Sequence, residues 1–256
     1  MRPDIFTFLV KKQDTYWWNR ARRSMGEALL RSYGAPTSGR WLDLGCGSGG
    51  NLGVANRFAP YLVVGADLSE LGLELTHSVS PQATLVRSDI SRGLPFGEST
   101  FDVVTIFNVL YHEWVEDDGR ALCEVARILQ VGGLLLITEP AFPILARQWD
   151  RAVMGARRYR RPELIALCQR AGLKVLFASY FTSFGFPILI GIMALRRIRR
   201  LIAGAAVTAE KSSEHKLLCP VLNQLLYAAA MLEAKAISAG AAFPFGVTLV
   251  LVAAKS

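Results

Sequence analysis

Three aspartates and one glycine-rich turn form the chemically equipped part of this sequence. The turn reads Asp43-Leu44-Gly45-Cys46-Gly47-Ser48-Gly49-Gly50, and Asp67 and Asp89 follow it at intervals of roughly one helix and one strand. Glycines let a backbone turn tightly and approach a ligand closely, and a helix starting behind them offers unpaired N–H groups. A carboxylate at Asp67 can accept both hydroxyls of a ribose. Asp89, beside Ile90, can receive an adenine amino proton, and Asp43, two residues before the first glycine, can meet an ammonium group. The set describes a nucleoside that carries an amino acid. Gly45, Gly47 and Gly50 also satisfy the G-x-G-x-x-G pattern of dinucleotide sites. That reading needs a pyrophosphate at the turn, which Asp43 would repel, and no Tyr-x-x-x-Lys pair of the short-chain dehydrogenase type accompanies it. A turn without any ligand is the third reading.

For these side chains to meet, the strands that carry them must end at one edge of a sheet. Apolar runs read as strands at 41–45, 62–67, 83–89, 101–107 and 134–140. Helices are expected at about 14–33, after Gly49, from Ser69 with its side chain as N-cap, and near 118–129. This alternation implies an α/β fold with a mostly parallel sheet, whose ligands bind at the carboxyl ends of the strands. Two further strands, 174–181 and 246–255, enclose about sixty residues containing the apolar helix FPILIGIMALRRIRRLI and a helical segment near 217–238.

The chain has 256 residues, 52% of them hydrophobic and 20% charged, which is ample for a packed core and far from the disordered regime. Its net charge of +8 is unevenly distributed: thirteen Lys/Arg face sixteen Asp/Glu up to Phe142, and sixteen face five beyond it. The basic residues cluster at 157–161 and 196–200, so a negatively charged partner would meet the second half. Four dispersed cysteines without a C-x-x-C pair indicate neither a disulfide framework nor a zinc site, and no metal is expected. The first residues lack a signal peptide's charged-then-apolar order, so the expected location is cytoplasmic, with contact to the inner membrane face as an extension. The uncharged run 175–195 is long enough to span a membrane, but Gly185, Pro187 and Gly191 break it. An apolar helix ending in arginines fits a membrane surface better, and a buried cap helix fits equally well. No nucleic-acid-binding module or aromatic stacking platform accompanies the arginines, so no nucleic acid partner is expected.

LDLGCGSGG, ADLS, SDI, LPFGESTFDVVTIFNVLYHEW and ARILQVGGLLLITEP resemble the successive motifs of class I S-adenosylmethionine (SAM) dependent methyltransferases over residues 41–140. Trp17-Trp18-Asn19-Arg20-Ala21-Arg22-Arg23 and the closing PFGVTLVLVAAK extend the resemblance to a bacterial subgroup of such domains. The resemblance implies a Rossmann-like, seven-stranded sheet with helices on both faces. It also implies four regions: a helical cap at 1–39, a SAM-binding core at 40–183, a helical insert capping the acceptor at 184–244, and a final strand at 245–256. Asp43, Gly45, Cys46, Gly47 and Gly49 would line the methionine end of SAM, Asp67 and Leu68 the ribose, and Asp89 and Ile90 the adenine. Asn108 would stand near the sulfonium, where relatives often carry Asp. His112 matches a common family histidine and would act as base if the acceptor starts protonated, with Tyr111 orienting the acceptor; a purely structural hydrogen bond is the other reading of His112. Tyr16, Trp17, Trp18, Arg158 and Tyr159 would contact the acceptor, while Arg20, Arg22 and Arg23 read as a solvated face. The implied reaction is methyl transfer, on oxygen in preference to nitrogen or carbon, to a small hydrophobic or lipid-linked metabolite, with S-adenosylhomocysteine as product. Non-methyl chemistry on the same fold, or SAM binding without catalysis, are the alternatives. Oligomeric state is not legible.

Overall fold

The computed structural model describes Val10, residues 12–203 and residues 218–256. Residues 1–9 of the expected N-terminal cap and 204–217 of the expected insert lie outside the described residues.

Seven strands form one sheet: β1 (Arg40–Leu44), β2 (Leu62–Asp67), β3 (Thr84–Arg87), β4 (Phe101–Phe107), β5 (Leu129–Pro140), β6 (Leu173–Phe181) and β7 (Thr248–Lys255). Their order is β3-β2-β1-β4-β5-β7-β6. The first five pair in parallel, and β7 runs antiparallel between β5 and β6. Apolar runs such as FDVVTIF and LLLI are buried on both faces, as a parallel sheet between helices requires. One hydrophobic cluster, centred on Leu42, Ile106, Leu122 and Leu135, fills one side; the other, around Met25, Leu29, Trp41 and Leu136, fills the opposite side.

The order in which successive strands are added reverses at β1, which lies between β2 and β4. The carboxyl end of β1 is therefore a topological switch point, where an open α/β sheet leaves a crevice. The turn after β1, Asp67 at the end of β2 and Asn108 just past β4 are brought together there.

The helices are α1 (Trp17–Ser32), α2 (Leu52–Asn56), α3 (Glu70–Val79), α4 (Asp118–Ile128), α5 (Gln148–Ala152), α6 (Arg161–Arg170), α7 (Gly185–Ala203) and α8 (Pro220–Ser238). Ser69 caps α3 as anticipated, its hydroxyl accepting from the Gly72 amide at 3.2 Å. Three features depart from the sequence reading. Strand β5 leaves α4 directly at Leu129 instead of starting at 134, because Leu129 pairs with Phe101 before a bulge shifts the register to Leu134 and Val103. Helices α5 and α6 were not anticipated; α6 opens with Pro162 in its first turn and with the Arg160 amide donating to Glu163 at 2.8 Å.

Candidate active site

The turn after β1 is built on left-handed backbone. Gly45 has φ +77 and Gly47 φ +56, and a Cβ on Gly45 would stand 2.2 Å from Cγ2 of Val109. Only glycine fits at Gly45, both for its dihedral and for the β4 loop pressed against it. The Gly45 and Cys46 amides donate to the Ala66 carbonyl at 2.7 and 3.1 Å, which ties the turn to the end of β2. The Gly47 amide donates to Oδ2 of Asp67 and the Ser69 amide to its Oδ1, each at 2.8 Å. One carboxylate thus organises both the turn and the start of α3. Burial raises the Asp67 pKa, and these amide bonds oppose the rise.

A cavity of about 560 Å³ opens at this edge. Gly45, Cys46, Gly47, Asp67, Leu68, Asp89, Ile90 and Asn108 all line it, as do Tyr111, His112 and Trp18. Asp89 is steadied by the Ser91 amide at 2.9 Å and by Arg92 at 3.3 Å.

Asp43 and Gly49 are placed elsewhere. Asp43 is buried behind the turn, with Oδ1 accepting from the Thr105 hydroxyl at 2.7 Å and Oδ2 without a partner. Burial pushes its pKa up to about 7, against the pull of Thr105 and Arg22. Gly49 packs against Thr76 and Val79 of α3.

Arg22 overturns the reading of the basic triplet as a solvated face. Its side chain is buried and lines the cavity, with one guanidinium nitrogen donating to Oδ1 of Asn108 at 2.7 Å and another to Oδ1 of Asn51 at 3.3 Å. The guanidinium stacks on Trp18 and Phe107, 4.6 and 5.2 Å from the ring centroids. Burial lowers its pKa to about 10, leaving it cationic. Asn108 meets it with a backbone φ of +59, a left-handed conformation that asparagine tolerates.

Glu139 at the end of β5 was also missed. Fully buried, it accepts from the Val109 and Leu110 amides at 3.0 and 2.8 Å and so holds the loop that carries Tyr111 and His112. Desolvation raises its pKa to about 8. Both residues left a trace in the sequence: Arg22 falls at helical spacing within the buried stripe Ala21, Met25, Gly26 and Leu29, and Glu139 is the one charged residue of strand β5, following the apolar run LLLI by one residue.

The far wall is aromatic. The His112 ring lies 4.0 Å from both Tyr111 and Trp114, stacked on the latter, and Trp149 and Met154 also face the cavity. Nδ1 of His112 is 3.3 Å from the Met154 carbonyl. A carbonyl only accepts, so Nδ1 carries the hydrogen and Nε2 keeps the lone pair. Burial lowers the imidazole pKa to about 4, so it is neutral at physiological pH. Burial also raises the Tyr111 pKa, which keeps the phenol protonated.

Of the other residues expected at the acceptor, only Trp18 reaches this cavity, its indole N–H donating to Thr248 at 3.2 Å. Trp17 packs on Phe184, and its backbone amide donates to Asn223 at 3.0 Å; Tyr16 lies half-exposed against Trp17. Arg158 is buried and makes a two-pronged pair with Asp150, both distances 2.8 Å, with a third bond to the Ala141 carbonyl at 3.0 Å. Tyr159 donates to Asp118 at 2.8 Å within the core. These two side chains brace the loop between β5 and α6 instead of facing a ligand. The insert expected to cap the acceptor contributes none of the described lining residues.

Residues 42–137 match the methyltransferase domain family. The chain is 33% identical over 120 residues to the trans-aconitate 2-methyltransferase of Variovorax paradoxus, covering 46% of this chain and 45% of that one. It is 32% identical over 121 residues to phthiotriol/phenolphthiotriol dimycocerosates methyltransferase 1 of Mycobacterium ulcerans, covering 46% and 43%. The chain thus spans under half the length of these curated relatives. Its fold is similar to that of geranyl diphosphate C-methyltransferase from Streptomyces coelicolor, solved with Mg2+, geranyl diphosphate and S-adenosylhomocysteine, with a TM-score of 0.58, 16% identity, and coverage of 93% of this chain and 81% of that one. The strand order, the crevice at the switch point and the matched family agree that residues 42–137 lie within a methyltransferase domain on the Rossmann-like, class I fold.

Proposed function

We propose that this chain transfers a methyl group from SAM to an oxygen of a small apolar or lipid-linked acceptor. The observation that carries the reading is a single cavity with two different walls. One is the glycine turn with Asp67, Asp89 and Arg22; the other is the aromatic pocket around His112.

The chain's own atoms fit SAM at the first wall. Asp67 accepts the Gly47 and Ser69 amides, and its carboxylate lines the cavity with acceptor capacity left for a ribose hydroxyl. Asp89 offers a carboxylate to the adenine amine, and Arg22 offers a buried cation to the amino acid carboxylate. Nε of Arg22 and the second oxygens of Asp43 and Glu139 are buried without partners among the described residues, a polar reserve behind this wall. Bound SAM supplies an electrophilic methyl group, so the protein's task is chiefly alignment and exclusion of water. Trp114, Trp149 and Met154 hold an apolar acceptor and keep water away, and Nε2 of His112 accepts the hydrogen bond, then the proton, of an acceptor hydroxyl. The relative named for phthiotriol dimycocerosates supports an apolar acceptor, and the neutral imidazole supports a hydroxyl over a group that already bears negative charge.

Replacing His112 by glutamine is expected to lower kcat by about a hundredfold while leaving S-adenosylhomocysteine affinity unchanged. Because its folded-state pKa lies near 4, the wild-type kcat should show no ionisation around the ordinary histidine value of 6.5. Turnover of methyl-labelled SAM with candidate hydroxylated lipids measures both. Label that stays on the cofactor while an acceptor is converted would contradict methyl transfer, and a kcat that falls tenfold for each unit below about 6.5 would contradict a pre-neutralised histidine.

A further inference from the structure

Helix α7 leaves the carboxyl end of β6 and runs for 19 residues, about 28 Å. None of its described residues is buried. Ile188, Ile192, Leu195 and Ile198 are 56%, 42%, 50% and 51% exposed, and their spacing of four, three and three residues places them on one stripe. Among the described residues no other element packs along α7 beyond marginal contact, whereas α8 packs on α1 and β6. An apolar stripe of this length does not stay open to water without a reason.

Charge narrows what covers it. From Gly185 to Ala203 the helix contains no acidic residue, and it includes Arg196, Arg197, Arg199 and Arg200. Helix α8 adds exposed Val221 and Leu225 in its first turns, with no acid before Glu233. Glu233 itself turns inward and accepts the Ser183 amide at 3.0 Å, fixing the root of α7. Trp17 touches both Phe184 and Asn223, so the two helices leave from one corner, beside the helix that sends Trp18 and Arg22 into the cavity. No helix among the described residues is long and apolar enough to cross a membrane. A second copy packed parallel on α7 would bring arginines onto arginines, and one packed antiparallel would leave both arginine clusters without an acid on the partner helix to pair them.

We propose that α7 lies in the plane of an anionic lipid surface, with its isoleucine and leucine stripe at the acyl boundary and its arginines on the lipid phosphates. The inference stands on α7 and needs no assumption about methyl transfer.

The full chain should co-sediment with phosphatidylcholine vesicles containing phosphatidylglycerol, less so at high salt, and weakly with phosphatidylcholine alone. Ile192→Glu with Leu195→Glu should weaken vesicle binding by about tenfold or more, with S-adenosylhomocysteine binding intact as proof of folding. The Arg196→Gln, Arg197→Gln, Arg199→Gln and Arg200→Gln variant, which leaves the stripe untouched, should lose the preference for the anionic lipid. Failure of the wild type to sediment with anionic vesicles overturns the proposal. So does a dimer in sedimentation velocity that the glutamate variant disperses in the absence of vesicle binding, since the stripe would then join two copies of this chain.

Discussion

Replacing Asp67 by alanine should weaken S-adenosylhomocysteine binding by about a hundredfold or more, the largest single loss available in this site. One carboxylate serves two purposes. It accepts the Gly47 and Ser69 amides at 2.8 Å each, and its side chain lines the cavity. Hydrogen bonds to a charged group contribute about 1.5–3 kcal/mol each, and truncation also leaves two amides unpaired at the place where the turn must keep its shape. Asp67→Asn should fall between alanine and wild type, because its amide retains one acceptor but presents a donor to one of the two backbone N–H groups. Calorimetric titration measures the affinities, and a thermal melt of each variant without ligand shows whether the fold survives.

Arg22→Leu should weaken binding of SAM and S-adenosylhomocysteine alike by about ten- to a hundredfold, since it removes the buried cation that lines the cavity and unties Asn108. Stability should respond through protons. Asp43 and Glu139 titrate at about 7 and about 8 in the folded chain, against ordinary values of 3.8 and 4.5, and Arg22 holds both below where burial alone would put them. The folded chain therefore binds more protons than the unfolded chain between those ordinary values and the raised ones, and stability declines as pH rises through that window. Without Arg22 both pKa values rise further, so the decline extends to higher pH, and at acidic pH the variant melts close to wild type. Melting temperatures across that range test this, and a variant equally destabilised at every pH would show that Arg22 acts by packing alone.

Much of this site was legible because the fold places chemistry at strand ends. WLDLG, LVVGAD and FDVVTIFN each read as an apolar run ending in polar residues, and a parallel sheet with a switch point leaves few other places for those ends to meet. Other features depend on tertiary contacts that spacing alone does not report. Arg22 sits between two other basic residues, and its burial follows from the cavity on one side and Trp18 and Phe107 on the other. Arg158 and Tyr159 carry functional groups suited to a ligand, yet Asp150 and Asp118 take them up. Asp43 looked like a ligand for an ammonium group because it precedes the glycines, but strand alternation turns it inward to Thr105. The insert looked like a lid because it is apolar, and it is apolar along a face turned to the outside.

Titrating the wild-type chain with S-adenosylhomocysteine tests the central claim most directly. One molecule should bind per chain, SAM should displace it, and a nicotinamide dinucleotide should not. Absence of binding, or displacement by the dinucleotide, would contradict the assignment of the glycine turn and its acidic strand ends to an amino-acid-bearing nucleoside.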